Sequence, residues 1–73
     1  MTINDKAKFA EIAFAAVRKL LKEKGFTDAE ICAFFVAESA DVCVSNGGAR
    51  LTFLENASIA YDAAKRLHTL KLG

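Results

Sequence analysis

The sequence predicts an all-α fold, a three-helix bundle in a single small domain that spans residues 1–73. Apolar residues recur at spacings of three and four along most of the chain, which is the period of helices that bury one face. A glycine at position 25 is followed at once by helix-start residues, and no proline interrupts any segment. These signals place the helices at about residues 5–24, 28–45 and 53–71.

The first helix carries more apolar circumference than a surface helix needs. Thr2 or Asn4 is predicted as its N-cap. Its apolar arc covers about 200°, roughly twice the stripe that a surface helix buries. The residues that can face the domain's own core, called here the first stripe, are Phe9, Ile12, Ala13, Ala16 and Leu20. A second stripe then needs another cover and is predicted to be a dimer interface: Ala10, Phe14, Val17 and Leu21.

The junction between the first two helices has the clearest local signals in the chain. Gly25 can adopt the left-handed conformation that ends a helix without a Cβ penalty. Thr27 and Glu30 have the spacing of a capping box, in which each side chain accepts a hydrogen bond from the other residue's backbone N–H. Phe26 and Ile31 occupy the flanking apolar positions of that motif. The two helices are therefore expected to fold back on each other.

The segment at 41–53 allows two interpretations. In the first, the second helix continues to about Ser45, and Asn46-Gly47-Gly48 ends it. In the alternative, an α+β fold, residues 41–53 form a β-hairpin around an Asn-Gly turn. An isolated two-stranded hairpin is only marginally stable, which favours the helical interpretation. Thr52 and Glu55 also have capping-box spacing, which predicts a helix start near Phe53.

The third helix is predicted to bury an alanine-rich stripe that allows close approach of a neighbouring helix. The stripe consists of Phe53, Ala57, Ala60, Ala64 and Leu67. Charged and polar residues occupy the opposite side of this helix. No internal repeat or low-complexity tract accompanies the three helical segments.

The size of the chain favours self-association. A chain of 73 residues buries only about 60% of its unfolded surface and is marginal alone. Two cysteines and one histidine argue against disulfide staples and a structural zinc site. The hydrophobic fraction of 53% exceeds the roughly 45–50% of typical soluble domains. We therefore expect a homodimer.

Charge is unevenly distributed although the net charge is only +1. Residues 26–49 contain four acidic residues and no lysine or arginine, whereas both flanking segments are basic. Helical spacing aligns three of these carboxylates with an aromatic residue on the second helix. This acidic patch, a candidate protein-contact surface for a basic partner, consists of Glu30, Phe34, Glu38 and Asp41.

Few side chains suggest reaction chemistry. Cys32 and Cys43 are about 16 Å apart on a continuous helix, too far for a disulfide or a shared metal ion. They are expected to be free thiols that are buried as small hydrophobic side chains. His68 has no predictable nucleophile or orienting acid beside it. No catalytic, cofactor or metal site is predicted, and we expect that the chain is not an enzyme.

The sequence therefore favours a non-enzymatic interaction protein, an inhibitor or adaptor that binds and occludes another protein. Small accessory proteins of phages and plasmids have a similar size and character, which is an analogy only. The alternative is a small DNA-binding regulator that uses the basic face of the first helix or the hairpin as a wing; the acids of the second helix oppose it. A cytoplasmic location without membrane attachment is expected, since no signal peptide or spanning segment is visible.

Overall fold

The computed structural model describes the backbone of residues 1–72 and their side chains up to Lys71. It contains three helices, α1 (Ile3–Glu23), α2 (Asp28–Ser45) and α3 (Arg50–Leu72). The predicted all-α class is confirmed, and the predicted bounds of α1 and α2 agree within two residues. Packing of the three helices as a bundle and the dimer remain predictions.

The alternative with a β-hairpin at 41–53 is wrong, because residues 1–72 contain no strand. The Asn-Gly pair ends a helix instead. Gly47 has a φ of 71°, and its N–H donates to the Val44 carbonyl at 3.0 Å. The Gly48 N–H donates to the Cys43 carbonyl at 2.9 Å. These bonds satisfy carbonyls that the end of α2 would otherwise leave unpaired, and this stabilises helix up to Ser45.

Helix α3 begins at Arg50, three residues before the predicted start at Phe53. The Phe53 N–H already donates to the Ala49 carbonyl at 3.1 Å, which closes the first helical turn. Thr52 and Glu55 therefore lie inside the helix and do not cap its start. The pattern at 52–55 was misleading because Ala49 and Arg50 carry no helix breaker, so helix resumes directly after Gly48.

Helix α1 begins with a reciprocal cap. The Thr2 hydroxyl accepts from the Asp5 N–H at 3.1 Å, and the Asp5 carboxylate accepts from the Thr2 N–H at 3.2 Å. Thr2 is therefore the N-cap, one of the two residues predicted for this role. Asp5 also places negative charge at the positive end of the helix dipole.

The junction between α1 and α2 has the predicted geometry. Gly25 has a φ of 94°, and its N–H donates to the Lys22 carbonyl at 3.0 Å. The Phe26 N–H donates to the Leu21 carbonyl at 3.1 Å, which completes a Schellman motif. The Thr27 hydroxyl then accepts from the Glu30 N–H at 3.1 Å. The four residues 24–27 thus end one helix and start the next.

The chain divides into two compact units, residues 1–36 and residues from 37 onward. Unit 1 contains α1 and the first half of α2. Its buried centre is Ile31, which is 4% exposed and is the one described side chain in the chain that is buried. Phe14 and Phe35 meet edge to face, with ring centroids 6.0 Å apart, so α1 and α2 pack against each other here.

Unit 2 contains the second half of α2 and α3. Its half-buried side chains, within the described residues, are Ala40, Cys43 and Phe53. The alanine-rich stripe predicted to be buried on α3 is half-buried only at Phe53, and its members from Ala57 to Leu67 are exposed. The expectation of a buried stripe along α3 is therefore not met within this chain.

Candidate protein-contact surfaces

Phe34 is the aromatic centre of the predicted acidic patch and lies in unit 1. It is 54% exposed, which is high for a phenylalanine in a folded helix. The Phe26 ring lies edge-on to it, with centroids 5.8 Å apart and planes inclined by 68°. This contact fixes one side of the Phe34 ring while its other side remains open to solvent. The arrangement provides a preformed aromatic platform.

Glu30 precedes Phe34 by one turn, and its carboxylate is held in place by the helix start. One carboxylate oxygen accepts a hydrogen bond from the Thr27 N–H at 2.9 Å. This backbone N–H, together with the Thr27 hydroxyl, holds the pKa of Glu30 below its ordinary value. The carboxylate therefore stays charged at neutral pH beside the Phe34 platform. Its capping role was predicted from the sequence, and this role limits how freely it can rearrange to meet a partner.

The other two members of the acidic patch lie in unit 2. Glu38 and Asp41 are exposed on later turns of α2. The backbone carbonyl of Asp41 accepts a hydrogen bond from the Ser45 hydroxyl. All four predicted contact residues thus lie on one continuous helix, and each of them is exposed. Their role in protein contact remains a prediction.

The second stripe, predicted as the dimer interface, faces α2 of the same chain over part of its length. Ala10 and Leu21 are half-buried. Phe14 contacts the Phe35 ring and is still 60% exposed. Val17 is also exposed, although less so than Phe14. The stripe therefore has an intrachain neighbour that the sequence interpretation did not assign to it.

A groove of about 400 Å³ runs beside the Phe14–Phe35 contact within unit 1. Three of its seven lining residues are alanines, and Glu11 and Arg18 contribute the charged groups. Its lining residues are Ala7, Ala10, Glu11, Phe14, Ala15, Arg18 and Phe35. Small side chains here leave the aromatic pair accessible from one side, which explains why Phe14 stays exposed despite its contact.

Every residue of the first stripe, which the sequence interpretation assigned to the core, is exposed. Phe9, Ile12 and Leu20 are exposed to between 54% and 72%, and Ala13 and Ala16 are exposed as well. The expectation that the first stripe faces the domain's own core is therefore wrong, because α2 packs against the second stripe at Phe14. The junction contains a signal for this outcome. A Schellman motif commonly brings together the side chains at the positions held here by Leu21 and Phe26, and Leu21 belongs to the second stripe.

The basic strip of α1 is exposed and partly neutralised. The Lys22 ammonium lies 3.0 Å from the Asp28 carboxylate, across the junction. The hydrogen bond that the Lys22 ammonium donates to the Asp28 carboxylate lowers the pKa of Asp28 below its ordinary value, and the positive charges of Lys22 and Arg18 lower it further. The strip consists of Lys8, Arg18, Lys19 and Lys22. Since residues 1–72 contain no strand, the hairpin wing proposed for DNA binding is lost, and the α1 face alone would have to bind phosphates.

The two cysteines are free thiols in different surroundings. Cys43 is half-buried, whereas Cys32 is exposed, so the expected burial is wrong for Cys32. No group of three or more potential metal-binding side chains occurs among the described residues. Likewise, none of the three helices, as far as they are described, has the length and apolar character needed to span a bilayer.

Comparison of the chain with protein-family models, with curated proteins and with solved structures gives no match in any of the three cases. The surfaces themselves therefore provide the argument for function.

Proposed function

We propose that this chain is a non-enzymatic interaction module, an inhibitor or adaptor that binds another protein and occludes part of its surface. The contact centres on Phe34, with the carboxylate of Glu30 beside it in unit 1. A suitable partner surface offers an apolar recess for the ring and basic groups around that recess.

The observation that carries this proposal is the half-exposed Phe34 ring held against Phe26. Aromatic anchors that enter pockets provide much of the binding energy of protein interfaces. An anchor that is already ordered loses little conformational entropy on binding, which favours affinity. The Phe26 contact and the helical backbone provide that order before any partner arrives.

The charge around Phe34 contributes to selectivity. Glu30 is held ionised by the Thr27 N–H, and no lysine or arginine lies between Gly25 and Ala49. Uncompensated negative charge at the edge of an apolar contact attracts basic partners and repels acidic ones. Exposed charges of this kind mainly affect the association rate and its salt dependence.

The experiment is a pull-down from host extract with the purified chain, compared with its Phe34→Asp variant. We expect Phe34→Asp to lose the captured protein, because a charge on the anchor opposes entry into an apolar pocket. Tyr61→Asp is the matched control, since Tyr61 is another exposed aromatic residue, located on α3. Circular dichroism checks that both variants remain helical.

Equal capture by the wild type and by Phe34→Asp would show that Phe34 is not the contact residue. Loss of capture by both variants to the same extent would indicate a general effect of added negative charge, which also contradicts the proposal.

A further inference from the structure

The first stripe and Phe34 lie on the same side of unit 1. The second stripe is the face of α1 that meets α2. Around the α1 axis, the centre of the first stripe lies about a third of a turn before the centre of the second stripe, in the direction in which the helix winds. Around α2, Phe34 precedes Phe35, which contacts Phe14, by about 100°. The Lys22–Asp28 ion pair at the junction and the Phe14–Phe35 contact farther along show that the two helices run antiparallel. Because the helices run antiparallel, these two similar offsets turn the first stripe and Phe34 toward the same side of the helix pair.

The charges that border these two faces have opposite signs. Lysines border the first stripe on both edges of α1, and these are Lys6, Lys8, Lys19 and Lys24. Two acids lie near the ends of the stripe, namely Asp5, which caps the helix through Thr2, and Glu23. Of the two acids in the α2 half of unit 1, Asp28 is already paired with Lys22, so Glu30 is the negative charge beside Phe34. One side of unit 1 thus presents a lysine-bordered apolar helix next to the Phe34 ring and the Glu30 carboxylate.

We propose that this side of unit 1 binds a second copy of the chain, with the first stripe of each copy packed on the Phe34 face of the other. The inference rests on the proposed function, because it takes Phe34 as a contact residue. It identifies the partner surface as the first stripe, an apolar surface bordered by lysines on a second copy of the same chain. If two first stripes packed on each other instead, the lysines that border them would lie close together, and their like charges would repel.

The symmetry of this arrangement is closed. A two-fold axis parallel to the helices places α1 of one copy above α2 of the other, and the same contact then occurs twice. Each α1 runs antiparallel to both of its α2 neighbours, as in an antiparallel four-helix arrangement. Since Phe34 lies inside the contact, a different protein can reach it only after the two copies separate. Self-docking and capture of another protein are therefore mutually exclusive.

The test measures solution mass by light scattering for the wild type and for Ile12→Asp and Phe34→Asp. The wild type is expected at twice the chain mass of 7.9 kDa. Each variant alone breaks both copies of the contact and is expected to associate at least about tenfold more weakly. A mixture of the two variants retains one intact contact, between unaltered α1 of one copy and unaltered α2 of the other. The mixture is therefore expected to associate more tightly than either variant alone.

Several outcomes would overturn the inference. A monomeric wild type, a Phe34→Asp variant that still forms the dimer, or a mixture no tighter than its components each excludes the reciprocal contact. Binding of monomeric wild type to phosphatidylglycerol vesicles through Ile12 would assign the first stripe to a membrane surface instead. Circular dichroism identifies variants that fail to fold, and Ile12→Ser then replaces Ile12→Asp.

The two proposals fail separately. If the wild type is monomeric while Phe34→Asp still loses the captured host protein, only self-docking is wrong. If the wild type self-docks through both faces while Phe34→Asp captures the same host proteins, only the proposed function is wrong.

Discussion

Single side chains determine where the helices of this chain begin and end. Thr2 with Asp5 and Thr27 with Glu30 form two capping boxes, and Gly25 and Gly47 adopt positive φ at the two helix ends that follow. Such motifs depend on residues only a few positions apart, so the sequence was sufficient to predict the cap at Thr27. The capping-box spacing at Thr52 predicted a helix start that does not form there, because helix had already resumed at Arg50.

The Thr27–Glu30 pair makes the stability of the chain depend on pH. Because the folded pKa of Glu30 lies below its unfolded value, this group adds stability at pH values above its unfolded pKa. As the pH falls, the Glu30 carboxylate is protonated first in the unfolded state, so this contribution decreases. It is lost once the pH has fallen through the folded pKa. Replacing Glu30 with glutamine should flatten this part of the profile, as measured by urea unfolding across the acidic range.

Thr27→Ala should remove the hydroxyl acceptor and cost roughly 0.5–2 kcal/mol of stability, the usual range for loss of an N-cap. NMR titration should then show the pKa of Glu30 moving up toward its ordinary value. Thr27→Ser keeps the hydroxyl and is the control, for which both quantities should stay close to the wild type. An unchanged Glu30 titration in Thr27→Ala would contradict a contribution of the hydroxyl and would leave the backbone N–H of residue 27, which alanine retains, as the cause of the lowered pKa.

At the scale of the helices, the connection between α1 and α2 is short and depends on Gly25. Its φ of 94° is unfavourable for any residue with a Cβ, although no other atom lies close to the position of that Cβ. Gly25→Ala should therefore destabilise the chain by about 1–2 kcal/mol through backbone strain alone. Asparagine tolerates this region better, so Gly25→Asn should cost less. Chemical unfolding of both variants measures the difference, and equal losses would argue against strain as the cause.

The sequence did not allow us to predict which face of α1 packs against α2. Both stripes have helical spacing and similar apolar content, so periodicity alone could not say which one meets α2. The choice depends on the direction in which the chain leaves α1, and the Schellman motif, in which the Phe26 N–H donates to the Leu21 carbonyl, shapes the backbone at that exit. The four residues of the acidic patch lie on α2 as predicted, but their role in protein contact stays a prediction because it depends on a partner that the sequence does not contain.

At the scale of the whole molecule, exposure of apolar side chains is the dominant feature. Seventeen large hydrophobic residues are exposed, whereas Ile31 alone is buried among the described side chains. Full burial of one such side chain contributes about 1.5–3 kcal/mol, so the stabilisation that a single copy leaves unused is large compared with a typical total stability of about 5–15 kcal/mol. Association is one means by which small chains recover this contribution.

If association stabilises the fold, the melting temperature must depend on protein concentration. We expect the Tm of the wild type to rise with each roughly tenfold increase in concentration, because mass action favours the associated folded form. Differential scanning calorimetry measures this dependence. Ile12→Asp should weaken it, whereas Tyr61→Asp should preserve it. A wild-type Tm that does not change with concentration would contradict the association.

The end of α2 has a consequence for thiol chemistry. Gly48 lies so close to Cys43 that a Cβ at position 48 would be 2.5 Å from the Cys43 sulfur. The loop backbone thus lies against one thiol, while Cys32 remains accessible. An alkylating reagent therefore reaches Cys32 directly but fully reaches Cys43 only when the last turn of α2 opens. The ratio of the two alkylation rates consequently reports how often that turn frays, without any introduced label.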